Sequence, residues 1–298
     1  MRAIYDVPAP AKLNLFLHVV GRRDDGMHLL QSAFMLIDWC DTLHFELRAD
    51  GGLSREDLGE PLPPDDLVLR AARALQQTGA TAVGAHIGVD KRVPTQAGLG
   101  GGSSDAASCL LALNRLWGLN LPLSRLAQLG QSLGADVPFF LGGHNAWVEG
   151  VGEQLTPIAL PAARFAVVKP PQGLSTASIF ADPGLNRSSS PVIISGFAAN
   201  PYAFGANDLQ AVAQKHCAGV TQALEWLGLR GLAGRMTGSG TAVFALMAAG
   251  TGPDEPGGLA GLAGLAEAPA GWQVRECGNL EAHPLVGWAP SDGSSVGG

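Results

Sequence analysis

The chain has 298 residues, of which 46% are hydrophobic and 15% charged, and its formal net charge is −7. This composition is typical of a globular protein with one or two domains and argues against a disordered chain. The acidic balance also argues against a broad nucleic-acid surface, which needs clustered Lys and Arg. The first residues lack the apolar core of a signal peptide, and no apolar run is long enough to cross a membrane.

Cysteine spacing gives a further indication of location. Four cysteines are scattered along the chain and form no C-x-x-C pair. This spacing predicts neither a zinc site nor a disulfide framework, and reduced thiols fit a reducing compartment. We therefore predict a cytoplasmic protein without a nucleic-acid or membrane partner. We also predict a monomeric or weakly homodimeric state.

Hydrophobic patterning predicts both strands and helices in the first half of the chain. The predicted helix over 65–79 begins with acidic residues and ends at Gly79, which are typical helix boundaries. In chain order, we predict strands over 12–20 and 41–47, a helix over 65–79, a strand over 85–94, a helix directly after the glycine stretch near 100, and a helix over 123–134.

The second half of the chain is predicted from the same patterns. In chain order, we predict strands within 145–158 and 164–170, helices within 209–228, a glycine loop and strand over 236–247, a surface helix and loop over 255–271, and a mobile tail over 291–298. Because helices and strands do not alternate strictly, the fold class is predicted as α+β. Prolines interrupt the pattern near 156–161, so we predict domains over 1–156 and 157–298.

The stretch PTQAGLGGGSSDAA, residues 94–107, places four glycines directly before a strong helix. Glycine permits unusual backbone angles and lets a ligand approach the backbone closely. Ser103 or Ser104 is predicted as the helix N-cap, and Asp105 is predicted to lie in the first turn, near the helix dipole. The free N–H groups of such a helix start bind anions, most often phosphate. The alternative is a flexible turn before a well-capped helix.

Several known phosphate loops do not match this stretch. No G-x-x-x-x-G-K-[ST] sequence occurs, which excludes a Walker A loop. Ser103 stands where the dinucleotide fingerprint needs its third glycine. Neither H-R-D nor D-F-G occurs, which excludes a protein kinase.

Three motifs resemble those of the GHMP small-molecule kinases. They are APAKLNLFLHV at 9–19, the glycine stretch at 94–107, and MTGSGTAVFAL at 236–246, in the family's order. The longer forms PAKLNLFL, GLGGGSSDAA and GADVPFFLGG resemble one branch, whose substrate is a cytidine diphosphate derivative of the sugar alcohol methylerythritol. The resemblance extends from about Pro8 to Leu285.

The resemblance implies a two-domain GHMP kinase fold. Its N-terminal domain would be of the ribosomal protein S5 domain 2-like type and its C-terminal domain ferredoxin-like. It also implies ATP-dependent phosphorylation of a hydroxyl group in the non-mevalonate route to isoprenoids. A homoserine or mevalonate type of GHMP kinase and a non-catalytic nucleotide-binding module remain as alternatives.

ATP and Mg²⁺ are the cofactors that the resemblance implies. A Mg²⁺ ion on the phosphates would have Ser103 or Ser104 as its nearest protein ligand. The residues implied to bind ATP are Pro94, Thr95, Gln96, Ala97, Gly98, Leu99, Gly100, Gly101, Gly102, Ser103 and Ser104.

Two charged residues are candidates for the chemistry. Asp136 could accept the proton of a substrate hydroxyl, or it could merely cap the segment that starts at Val137. Lys12 adjoins a buried strand, so it needs a counter-charge or must extend to solvent. The resemblance implies that Asp136 is the catalytic aspartate and that Lys12 orients it. Asn14 lies two residues further along the strand, on the same face as Lys12, and matches a substrate-binding position.

Two segments are candidates for recognising a base. RDDGMHLLQS, residues 23–32, resembles the family's cytidine-recognition segment, which implies that His28 hydrogen-bonds the base. Met27 replaces an aromatic residue there, and its thioether can cover a ring face. STASIF, residues 175–180, resembles the rest of the pocket, with Thr176 and Phe180 as substrate contacts. A simple loop histidine and a core phenylalanine are the alternatives for His28 and Phe180.

Overall fold

The computed structural model describes residues 2–249 and 268–292. A six-stranded sheet and four helices form its first half, and the strands β3-β4-β2-β5-β6 are neighbours in that order, with β1 also paired to β2. The elements are β1 (Ala3–Arg22), β2 (His28–Arg48), β3 (Leu53–Asp57), α1 (Leu67–Thr78), β4 (Gly84–Asp90), α2 (Gly101–Leu116), α3 (Leu123–Leu133), α4 (Val137–Gly142), β5 (Ala146–Glu149) and β6 (Gln154–Pro157).

Strands β1 and β2 are far longer than the predicted strands over 12–20 and 41–47, with 20 and 21 residues. They pair with each other along their length, and the register shifts at four places, one of them between Pro10 and Lys12. Pro8 and Pro10 lie within β1 and are opposite Thr42 and Cys40 on β2, so they do not interrupt this strand.

The helices of the first half pack on the sheet and enclose an apolar core. Asp66 caps α1 by accepting a hydrogen bond from the N–H group of Leu69 at 3.1 Å, and Gly79 follows the last turn, as predicted. Strand β4 ends at Asp90 rather than at Pro94. The reason is that the N–H groups of Arg92 and Val93 donate to the Asp41 carboxylate instead of to a neighbouring strand.

The described residues of the second half contain a four-stranded antiparallel sheet with the order β10-β7-β9-β8. When these four strands are numbered 1 to 4 along the chain, their order in the sheet is 4-1-3-2. This is the strand order of a ferredoxin-like domain, as predicted. The elements are β7 (Ala163–Lys169), α5 (Thr176–Ala181), α6 (Ile194–Ala199), α7 (Gln210–His216), α8 (Ala218–Gly228), β8 (Gly234–Met236), β9 (Val243–Ala249) and β10 (Gln273–Gly278).

Two predicted elements fall largely outside the described residues. Most of the predicted helix and loop over 255–271 and most of the predicted tail over 291–298 belong to this part of the chain. Among residues 2–249 and 268–292, no helix combines the length and apolar character that a membrane crossing needs. The observed mixture of sheets and helices confirms the α+β fold class.

After β10 the chain returns to the first half, and we call residues 279–292 the return segment. Its backbone bonds to three places in the first half: Leu280 N–Leu36 O at 2.9 Å, His283 N–Gly143 O at 2.8 Å and Leu123 N–Pro290 O at 3.0 Å. Leu285 is buried in the core formed by the first sheet and its helices. The division into domains over 1–156 and 157–298 stays a prediction, and the return segment crosses it.

Candidate active site

A cavity of about 1000 Å³ is lined by residues from both halves of the chain. This volume is at the upper end of the range for one drug-sized ligand, so the cavity can accept two smaller ones. Ser104 is the predicted site residue that does not line it. The predicted site residues that do line it are Lys12, Asn14, Met27, His28, Pro94–Ser103, Asp136, Thr176 and Phe180.

Helix α2 starts at the cavity, but its N-cap is not the predicted serine. Gly100 is the N-cap, with φ at 72°, and the helix begins at Gly101. A left-handed residue is needed at this point, and glycine adopts that conformation without strain. The first helical bond runs from Ser104 N to Gly100 O at 2.9 Å. The N–H groups of residues 101–103 precede it and have no helical acceptor, which leaves an anion site at the cavity wall.

The glycine loop before α2 is held against a second glycine loop at 237–242. A Cβ atom on Gly98 would lie 2.2 Å from the carbonyl oxygen of Thr237, so a larger residue does not fit. Thr241 N donates to Gln96 O at 3.3 Å, which joins the two loops through their backbones. The stretch at 94–107 is therefore fixed by partners from the other half of the chain and is not a flexible turn.

Lys12 and Asp136 meet in the cavity, with 3.6 Å between Lys12 Nζ and Asp136 Oδ2. Lys12 also donates to Asn14 Oδ1 and lies 4.8 Å from the ring centroid of Phe34. Burial lowers the pKa of Lys12, although the Asp136 carboxylate opposes this shift. Asp136 precedes α4, yet its side chain makes no capping hydrogen bond. The alternative that Asp136 merely caps this segment is therefore wrong, and its carboxylate is free to act in the cavity.

The two candidate metal ligands differ in position. Ser103 lines the cavity, whereas Ser104 is fully buried and its Oγ has no hydrogen-bond partner among the described residues. Ser104 is therefore excluded as a direct ligand of a cavity ion, and the hydroxyl oxygen of Ser103 fits the hard-ligand preference of Mg²⁺. Within residues 2–249 and 268–292, no group of three or more His, Cys, Asp or Glu could hold a metal.

Asp105 is not placed at the helix dipole as predicted. It is buried, and its Oδ2 lies 2.7 Å from Lys91 Nζ, which also contacts Asp41. Asp41 Oδ1 accepts from Arg92 N at 2.6 Å and Val93 N at 2.7 Å. Burial raises the pKa of Asp105 against the opposing effect of Lys91. This buried cluster fixes the chain where it enters the glycine loop, and no local sequence pattern indicates the pairing.

The predicted base-binding residues form another wall of the cavity. His28 begins β2, and its ring lies on that of Phe180 with centroids 4.9 Å apart and planes at 33°. Half of the Met27 side chain is exposed. Arg187 Nε donates to His28 Nε2 at 3.1 Å, a contact that sequence reasoning missed. His28 is therefore an ordered part of the wall and not a loop histidine.

Other lining residues were also missed. Leu67 lies beside the start of α2, since a Cβ atom on Gly102 would be 3.7 Å from its Cδ1. Thr176 Oγ1 and Ser239 Oγ are 2.7 Å apart, so a hydrogen bond joins the start of α5 to the glycine loop at 237–242. The missed residues that line the cavity include Ser32, Phe34, Leu62, Pro63, Asp65, Asp66, Leu67, Arg70, Lys91, Asp105, Leu174 and Ser239.

The helix start, the lysine–aspartate pair and the two glycine loops define a site for phosphate transfer to a small molecule. The chain matches the family model of the GHMP kinases N terminal domain over residues 66–144 and that of the GHMP kinases C terminal over 194–255. The chain belongs to the GHMP kinase family, as the motifs predicted.

Two relatives and a solved structure show which members of this family the chain is similar to. A 4-diphosphocytidyl-2-C-methyl-D-erythritol kinase of Variovorax paradoxus is 66% identical, covering 97% of this chain and 100% of the relative. A 4-diphosphocytidyl-2-C-methyl-D-erythritol kinase of Albidiferax ferrireducens is 64% identical, and the match covers 100% of this chain and 99% of that relative. A crystal structure of 4-(cytidine 5'-diphospho)-2C-methyl-D-erythritol kinase has a TM-score of 0.76 and 32% identity, covering 93% of this chain and 98% of that one. These findings confirm the two-domain GHMP kinase fold.

Proposed function

We propose that the chain is an ATP-dependent kinase that phosphorylates the 2-hydroxyl group of 4-diphosphocytidyl-2-C-methyl-D-erythritol, in the non-mevalonate route to isoprenoids. The observation that carries this proposal is a juxtaposition in one cavity. The open start of α2, the Lys12–Asp136 pair and the His28–Phe180 ring pair all line it. The names and high identity of the relatives support the choice of substrate.

ATP is assigned to the part of the cavity around α2. The unpaired N–H groups of residues 101–103 suit its phosphates, because a helix start carries positive partial charge. The apolar side chains of Leu62, Pro63 and Leu67 line the cavity and suit the flat adenine, and Leu67 lies beside this helix start. Mg²⁺ would neutralise phosphate charge when bound, and Ser103 is the residue that would hold it.

Asp136 is assigned as the general base. Its carboxylate accepts the proton of the substrate hydroxyl, whose oxygen then bonds to the γ-phosphorus of ATP while the bond to the ADP oxygen breaks. Lys12 is within 3.6 Å of this carboxylate, so it can hold Asp136 in place and stabilise negative charge on the moving phosphoryl group. Asn14, which accepts from Lys12, keeps the ammonium oriented.

The cytosine ring is assigned to the wall formed by His28 and Phe180. Their rings already lie against each other, and Met27 is exposed beside them. Aromatic faces and thioethers both pack well on a base. Thr176, at the start of α5, supplies a hydroxyl at the same wall.

Substrate turnover tests the proposal. Purified protein with ATP and Mg²⁺ is offered the cytidyl compound, homoserine and mevalonate in parallel, and product is followed by ³¹P NMR. We expect a new phosphomonoester on the cytidyl compound alone. Turnover of homoserine or mevalonate instead would identify another small-molecule kinase, and ATP binding without turnover of any of the three would indicate a non-catalytic module. The predictions of a cytoplasmic location, of a monomer or weak homodimer and of no nucleic-acid partner stay predictions.

A further inference from the structure

The side chain of Arg187 is fixed by backbone carbonyl groups. Its Nη2 donates to Phe180 O at 2.8 Å and Asp182 O at 2.9 Å, and its Nη1 donates to Leu185 O at 3.2 Å. These three acceptors lie at the end of α5 and in the turn that follows it. A guanidinium held at three points has a defined orientation, so the direction of its remaining Nε–H group is also defined.

That Nε–H group donates to His28 Nε2 at 3.1 Å. A guanidinium is always protonated and has no acceptor, so His28 Nε2 must carry a lone pair. The imidazole is then neutral, with its proton on Nδ1. The surroundings favour this state, because burial, Arg187 and Arg22 all lower the pKa of His28.

His28 lines the cavity, whereas Arg187 does not. Among the described residues, none makes a hydrogen bond to His28 Nδ1, and the ring is held in place by its contact with Phe180. The Nδ1–H group is therefore the hydrogen-bonding group that this ring can offer to a ligand.

We propose that Arg187 is a positioning residue that sets base specificity by fixing His28 as a donor at Nδ1. Such a donor pairs with an acceptor on the edge of a pyrimidine. Cytosine offers an unprotonated N3, whereas uracil carries a proton there and would oppose one N–H group to another. This inference rests on the proposed function, because it takes the ligand to be a pyrimidine nucleotide. A donor left without a partner when the base covers it carries a penalty, and this penalty disfavours the wrong base.

The tautomer is tested directly by ¹⁵N NMR of the histidine side chains at neutral pH, without substrate. The signals that vanish in His28→Gln identify His28. We expect a neutral His28 with its proton on Nδ1 in the unsubstituted protein. In Arg187→Gln we expect a rise in the His28 pKa and a shift towards protonation at Nε2. Protonation at Nε2 in the unsubstituted protein would overturn the proposal.

Specificity is tested by kinetics with the cytidyl substrate and its uridyl counterpart. We expect Arg187→Gln to reduce the ratio of kcat/KM for cytidyl over uridyl substrate at least 10-fold, mainly through the KM for the cytidyl compound. Arg125→Gln, an exposed arginine on α3, is the matched control and should leave the ratio unchanged. A folded Arg187→Gln protein that loses rate equally on both substrates would overturn the proposal, because a merely structural role has that result.

A second pair of variants keeps Arg187 in place, in case its loss unfolds the turn after α5. In His28→Gln the amide can accept from Arg187 and still donate to the base, so preference for the cytidyl substrate should persist. In His28→Glu the side chain can only accept, so the preference should fall or reverse. Equal ratios in these two variants would contradict the proposal. If the unsubstituted protein fails to turn over the cytidyl compound, the proposed function fails, while the NMR result still decides whether Arg187 fixes His28.

Discussion

Lys12 and Asp136 illustrate how burial makes two residues depend on each other. Lys12 is only 3% exposed, and its ammonium group lies beside the Asp136 carboxylate, the Asn14 oxygen and the face of Phe34, which favour its charged form. A buried cation without such partners would lose its proton. The carboxylate is more exposed than the lysine and faces the cavity, so the pair presents its basic oxygen to the substrate side.

Asp136→Asn tests the assignment of the base. The amide has nearly the same shape as the carboxylate but cannot accept the hydroxyl proton, so we expect the rate of transfer to fall by about 10²–10⁴-fold. Affinity for a non-hydrolysable ATP analogue should stay within about 2-fold, since the α2 start is unchanged. Single-turnover rates and calorimetric titration measure the two quantities.

The matched control for this substitution is Asp50→Asn. Asp50 forms an exposed ion pair with Arg48 and does not line the cavity, so its loss should leave the rate unchanged. An Asp136→Asn protein that kept most of its rate would remove Asp136 as the base. A uniform loss of nucleotide affinity would instead assign it to ATP binding.

At the scale of elements, neighbouring glycines at the start of α2 are needed for different reasons. A Cβ atom on Gly101 would lie 3.0 Å from Val93 Cγ1 and 3.3 Å from Lys91 Nζ, so this glycine faces the protein. Gly102 is exposed at the cavity wall, and Leu67 Cδ1 at 3.7 Å is the contact that an added Cβ would make. Packing restricts Gly101, whereas at Gly102 the restriction is expected from the proposed ligand.

Gly102→Val should therefore raise the KM for ATP about 10-fold or more without loss of stability. The new side chain would occupy space beside the N–H groups that we propose to bind phosphate, while valine costs a helix no more than glycine does. In contrast, Gly101→Val should lower the free energy of unfolding by about 1–3 kcal/mol through overpacking. Nucleotide titration and thermal melting distinguish the two effects.

Gly228→Val is the control for these substitutions. Gly228 lies in α8, away from the cavity, and an added Cβ would meet no atom within 4 Å. It should change neither ATP affinity nor stability by much. An unchanged ATP affinity in Gly102→Val would show that the phosphates bind elsewhere.

Elements with local signals were predictable from the sequence. Helix α1 has an aspartate cap and a terminal glycine, and these fix its ends within the chain itself. The prediction of a serine N-cap for α2 was wrong because serine favours that position only where the backbone is extended, whereas this helix begins after the left-handed Gly100. The ion pair of Asp105 with Lys91 was missed because buried partners are set by tertiary packing, which no local pattern reports.

At the scale of the whole molecule, the return segment closes the helix layer of the first half. His283 is 2% exposed, its Nδ1 accepts from Leu285 N at 3.1 Å, and its Nε2 has no partner among the described residues. The Arg115 guanidinium lies 4.9 Å from the ring centroid of Trp288. These contacts hold the end of the described chain against the helices of the first half, including α2.

The stability of the protein should fall in mild acid because of His283. Burial lowers its pKa to about 4 from 6.5, so the neutral form is favoured in the folded state. Between these two pH values the unfolded chain binds more protons, so the stability contribution is complete above pH 6.5 and is lost as the pH falls. The full loss is about 3 kcal/mol. Urea unfolding of the unsubstituted protein and His283→Asn from pH 7 to pH 4 measures it.

The substituted protein should show a flatter dependence on pH, because asparagine keeps an acceptor for Leu285 N but does not titrate. His144→Asn is the control, since His144 is exposed and pairs through its backbone with Ala282 in the return segment. It should retain the slope of the unsubstituted protein. If the free energy of unfolding depended equally on pH in the unsubstituted protein and in His283→Asn, His283 would not be the cause of the acid sensitivity.

Much of the candidate site was predictable because its residues belong to separate motifs that the fold brings together. The motif around Lys12, the glycine stretch and the segment around Asp136 all reach one cavity. Arg187 and Leu62 were missed for the opposite reason. Each is a common residue in an irregular stretch, and its importance comes from the position of its neighbours in space.

The return segment also has a consequence for synthesis. During translation the first half leaves the ribosome while the stretch that completes its hydrophobic interior has yet to be made. Until Leu285 and Trp288 arrive, the helices around them expose a gap that invites chaperones or aggregation. The two halves of this kinase therefore mature together once the return segment has been made, and the first half does not complete its interior beforehand.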